Sequence, residues 1–80
     1  DGHKGGDGAM IHCLIQSAQY RKLLNTLVAH TGYEIVANER TNELLLITDE
    51  LTNIPHLNVR AEILVHDDAG RLTDVRQEVL

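Results

Sequence analysis

Eighty residues with 42% hydrophobic and 24% charged side chains make one small globular domain rather than a disordered segment. A net charge of −5 opposes phosphate binding, and two Tyr with no Phe or Trp leave no platform for stacked bases, so nucleic acid is not an expected partner. No apolar run is long enough to insert in a bilayer, and one cysteine, Cys13, excludes an internal disulfide and a cysteine cage for zinc.

The chain opens DGHKGGDGAM, which holds four of its six glycines and no apolar side chain before Ala9. Residues 1–9 are expected to be an added flexible leader outside the fold, leaving residues 10–80 as a single α+β domain. Asp1-Gly2-His3 resembles the amino-terminal copper- and nickel-binding motif. With a free amine at Asp1, two backbone amides and the His3 imidazole would offer a planar set of four nitrogens. Metal held there is expected to be incidental, and no cofactor is expected in the domain.

Met10 to Gln16 is a short, mostly apolar run that reads as a strand. Ser17 is placed to cap a helix over residues 18–30, whose Tyr20, Leu23, Leu24, Leu27 and Val28 recur at spacings of three and four to form one apolar stripe. Gly32 fits a left-handed cap after its last turn. Strands are predicted at 33–37 and 43–48, joined by the turn-forming Asn38-Glu39-Arg40-Thr41-Asn42. Asn53 and Pro55 mark residues 49–57 as a loop or a single helical turn.

The last segment reads as a hairpin. Val59, Ala61, Ile63 and Val65 alternate with Arg60, Glu62, Leu64 and His66, and Asp67-Asp68-Ala69-Gly70 has turn chemistry. Residues 72–79 then return, with Thr73, Val75, Gln77 and Val79 expected to share the face that packs on the core through the two valines. The resulting order is β-α-β-β-loop-β-β: one helix on a mostly antiparallel sheet, with Leu24 and Leu27 packing on the face that holds Ile63 and Val65.

Candidate chemistry is sparse. His12, His30, His56 and His66 include no pair at the spacing of a helical or hairpin metal site, although His66-Asp67-Asp68 could offer ligands to a divalent ion. His12 and Cys13 are adjacent in a strand, so their side chains point to opposite faces and cannot form an activated thiolate pair. Gln16-Ser17, the link before the helix, has no glycines with which to cradle phosphate. Ser17 has no marked base or oxyanion hole.

The stretch IVANERTNELLLIT, residues 35–48, resembles a hairpin of the periplasmic N-domains of secretins, the ring-forming outer-membrane channels. Glu39, Arg40, Thr41 and Asn42 match the turn, Leu44 to Thr48 match the strand that follows, and the helix YRKLLNTLVAHTG precedes them as in those domains. The resemblance implies a ring-building module of a secretion or pilus system, in the periplasm, that packs against its neighbours. The chain departs from that pattern where Pro55 and a hairpin replace a second helix.

These readings favour a non-catalytic, cytoplasmic protein–protein interaction or assembly module whose partner is another protein or a second copy of itself. A ring-building scaffold is one alternative, and a small metal-responsive protein or enzyme using His66, Asp67 and Asp68 is another. The final strand is expected at a sheet edge, with Leu72, Asp74, Val75, Arg76 and Glu78 as partner-binding residues.

Overall fold

The structure is a computed structural model that describes residues 10–30 and 32–80; the expected leader and the Asp1-Gly2-His3 metal motif lie outside the described residues. Five strands and one helix follow in the predicted order: β1 (Met10–Gln16), α1 (Tyr20–Leu27), β2 (Tyr33–Asn38), β3 (Glu43–Thr48), β4 (Arg60–His66) and β5 (Leu72–Val79), with a 3₁₀ turn at Leu51–Asn53. All pairings are antiparallel, in the order β2-β3-β1-β4-β5. β1 is therefore the central strand, and β2 and β5 are the two edges.

Antiparallel partners share a face, so the register sorts the side chains. On the helix side, Cys13 lies between Leu46 and Ile63, Ile15 opposes Leu44, and Ile11 opposes Thr48 and Val65. Tyr20, Leu23 and Leu27 descend on this face, with Leu24 packed beside them, and Leu27, Leu44, Leu46, Cys13 and Ile63 are fully buried. Leu24 and Leu27 join Ile63 and Val65 in one cluster, as their spacing predicted. Leu51, Ile54, Leu57 and Val59 close the core from the β3–β4 connection.

Thr48 is the buried polar residue of this side. Its hydroxyl accepts from Glu50 N at 3.2 Å and Asn53 Nδ2 at 3.4 Å, and lies 3.0 Å from Glu50 O and 3.2 Å from Gly32 O, which share its one proton. The connection is thereby tied to the start of β2.

Four expectations are corrected. The helix runs from Tyr20 to Leu27 rather than over residues 18–30. The Leu27 carbonyl accepts both His30 N at 3.0 Å and the Tyr33 hydroxyl at 2.6 Å, so the chain tightens into a turn there and leaves the helix. Ser17 does not cap it: its hydroxyl accepts from Gln19 N at 3.0 Å in a turn before the helix, whose N-cap is Gln19. Gly32 does take a positive φ of 98°, but it shapes the entry to β2 rather than the helix end, where Val28 is right-handed. A Cβ there would meet the Asn53 side chain at 3.3 Å, which adds crowding to backbone strain.

The fourth correction concerns β5. His66 pairs with Leu72 but Val65 pairs with Asp74, so Thr73 is an extra residue in a β-bulge. One inserted residue flips every later side chain. Val75 and Val79 consequently turn away from the core and are 49% and 58% exposed, while Asp74, Arg76 and Glu78 take the helix-side positions opposite Val65, Ile63 and Ala61. The Thr73 hydroxyl donates to Val65 O at 3.1 Å and pins the bulge.

Candidate functional site

One helix about 10 Å wide covers roughly two strands spaced about 4.8 Å apart, and only on one side. The opposite face of the sheet therefore lacks a covering layer among the described residues. Two cross-strand rows run over it: Val36–Leu45–Leu14–Glu62–Gln77 and Glu34–Ile47–His12–Leu64–Val75. The aliphatic members adjoin one another through Val36, Leu45, Leu14, Ile47, Leu64 and Val75. Leu14, Leu45, Ile47 and Leu64 are half-buried, and Val36 is 55% exposed. Glu34, Glu62 and Gln77 border the patch. A contiguous apolar surface with a polar rim is the usual mark of an interaction site.

The patch runs into the β5 edge. Leu80 N donates to Val59 O at 2.8 Å, which fixes the alternation of the ladder: Asp74, Arg76 and Glu78 direct their backbone groups toward β4. Val75, Gln77 and Val79 then direct theirs outward, away from the sheet. The residues with outward backbone are also those with side chains on the uncovered face. On the other side of the strand Arg76 is held between two carboxylates, donating through Nε to Glu78 and through Nη1 to Asp74 Oδ2 at 2.6 Å. The hydrogen bond to Glu78, then that to Asp74, hold the guanidinium protonated above its ordinary range.

Each sequence candidate can now be placed. Leu72, Asp74, Val75, Arg76 and Glu78 lie on one edge strand, but on two faces: Val75 on the uncovered side, the three charged residues on the helix side, and Leu72 before the bulge, 53% exposed. His66, Asp67 and Asp68 do not converge. Asp67 Oδ1 accepts from Ala69 N and Arg71 N, both at 2.9 Å, and Oδ2 is 3.4 Å from Arg71 Nε, so this carboxylate is engaged in the turn. No group of three His, Cys, Asp or Glu positioned to hold a metal occurs among the described residues. His12 and Cys13 are on opposite faces, as expected. Burial, and secondly the negative charge of Glu78, push the Cys13 thiol up to about 11, which leaves it an unreactive core group.

Two features escaped the sequence reading. The ring of His12 packs against that of His66 with centroids 4.5 Å apart, and Nδ1 of His66 is buried without a hydrogen-bond partner. The pair forms because β1 and β4 are neighbours, a fact no local spacing reveals. The uncovered patch did leave a signal: Leu14, Leu45, Ile47 and Leu64 are apolar residues at the parity opposite to the core residues of their own strands. Central strands apolar at both parities indicate a sheet with two apolar faces. Comparison with family models, curated proteins and solved structures finds no match to this chain.

Proposed function

We propose that this domain is a non-catalytic protein–protein interaction module that associates through β5 and the adjoining uncovered sheet face. The observation that carries the reading is the continuity between them: Val75 belongs to the apolar patch and, with Gln77 and Val79, presents outward backbone groups along the same edge. An incoming strand would gain main-chain hydrogen bonds, and whatever is attached to that strand would cover the patch. Small domains bury little of their own surface, so such cover would add substantially to the stability of this one. The ring-building alternative is the version of this reading in which several copies are the partners; the helix before β2 and the Glu39–Asn42 turn between β2 and β3 support it.

Hydrogen exchange tests the proposal. Amide protection at Val75, Gln77 and Val79 is measured at low and high protein concentration, alone and with each candidate partner. Protection of these alternate amides under one associating condition is expected. If they exchange freely in every condition, β5 is a bare edge guarded by its charges, and the association reading fails.

A further inference from the structure

The charges of β5 form a code that a second copy of the same strand can read. On the helix side the strand carries Asp74, Arg76 and Glu78, in the order minus, plus, minus. Two such strands can pair antiparallel about a two-fold axis only in registers where outward-facing residues meet. An axis at Arg76 sets Arg76 against its own copy and Asp74 against Glu78 of the other chain, so every charged pair repels. With the axis at Gln77, Arg76 lies opposite Glu78 of the other copy twice, and Val75 lies opposite Val79 twice on the uncovered face. An axis at Val75 also matches charges, through Asp74 and Arg76, but it draws the bulged Thr73 and Leu72 into the ladder. Bulges interrupt pairing, so this register is disfavoured. The Gln77 axis uses only the regular part of the strand, beyond the bulge.

We infer that β5 pairs with β5 of a second copy, antiparallel and centred on Gln77, to give one continuous sheet of two five-stranded halves. The inference rests on the reading of β5 as the association surface and names the partner. The exposed Val75 and Val79 of each chain cover one another, and the two apolar patches become neighbours on one face. Arg76, already held by Asp74 and Glu78 of its own chain, gains a third carboxylate across the axis. The other edge, β2, carries only Glu34 as a charged residue and offers no comparable register code.

Charge reversal tests the register. In Arg76→Glu and in Glu78→Arg chains, the cross-axis pairs become repulsive, and sedimentation velocity over a concentration series should show dimerisation weakened about tenfold or more in each. An equimolar mixture of the two variants restores opposite charges at both pairs and should dimerise again, as should the doubly reversed Arg76→Glu/Glu78→Arg chain. Recovery in the mixture also shows that both variants are folded. The Val75-centred register predicts the reverse for the double variant, because a glutamate at position 76 would face Asp74. A wild-type chain that stays monomeric at millimolar concentration, single reversals that leave dimerisation unchanged, or a mixture that fails to recover would each overturn the inference. If the chain is monomeric but Val75, Gln77 and Val79 become protected by a different protein, the inference fails while the proposed function stands.

Discussion

The two faces of this sheet are built from the same five strands and nearly the same residue types, yet they are in different states. On the helix side, Cys13, Leu44, Leu46 and Ile63 are fully buried beneath Leu27. On the other side, Leu14, Leu45, Ile47 and Leu64 are aliphatic but half-buried, with no covering helix or second sheet among the described residues. Antiparallel sheets with one wet side carry polar residues along that side; here His12, Glu34, Glu62 and Gln77 are joined by aliphatic residues at the central positions. One face therefore carries the packed core and the other leaves half-buried aliphatic side chains, which makes the two faces separable by mutation.

The largest effect is expected on the covered face. Leu27→Ala removes a fully buried side chain from the helix–sheet contact and should destabilise the domain by about 2–5 kcal/mol, enough to unfold much of the population. Leu14→Ala, the matched truncation on the uncovered face, removes a half-buried side chain and should cost roughly 1 kcal/mol at low concentration. Urea denaturation of the two variants side by side measures the contrast. Equal losses would mean that the uncovered face contributes to the monomer as much as the core does.

A second asymmetry appears at alkaline pH. Cys13 is buried and its thiol is pushed up to about 11 from 9.0, so between these values the unfolded chain gives up a proton that the folded chain keeps. The stability tied to the neutral thiol is complete below pH 9 and is lost as pH rises through 11. The loss should amount to about 1–3 kcal/mol. Tyr33 acts in the same direction, since burial raises its phenol and the hydroxyl must keep its proton to donate to Leu27 O. Denaturant titrations from pH 8 to 11 should show stability falling, and Cys13→Ala should flatten the slope in part. A slope unchanged by Cys13→Ala would remove the thiol from the account.

Most of the fold was legible because each element announces itself locally. The stripe Tyr20, Leu23, Leu24, Leu27 marks the helix, Gly70 at a φ of 85° marks the hairpin turn, and alternation from Ala61 to Val65 marks β4. What was not legible depends on events between elements. The face of β5 was misread because regular pairing from His66 and Leu72 would place Val75 opposite Ile63, in the core; the bulge at Thr73 moves Arg76 there instead. The helix end was misread because Val28 and Ala29 have adequate helical propensity, whereas the Tyr33 hydroxyl, from the next strand, takes the Leu27 carbonyl. The His12–His66 contact required the strand order itself. Of the candidate site, the edge position of β5 was anticipated and the apolar surface beside it was not.

The smallest effect in the monomer is the sharpest test of the comparison. Val75→Thr and Val79→Thr keep the β-branched shape and the strand propensity, and they change only what the uncovered side of β5 offers to a partner. Both valines are about half exposed or more, and neither belongs to the helix-side cluster. At low concentration the double variant should therefore melt within about 0.5 kcal/mol of wild type. At high concentration its association should weaken, because each paired β5 would then set one threonine against another where two valines had met. Thermal melts and sedimentation on the same samples separate these two quantities. A monomer destabilised as much as by Leu27→Ala would mean that the valines face the core after all, and that the bulge at Thr73 does not hold in solution.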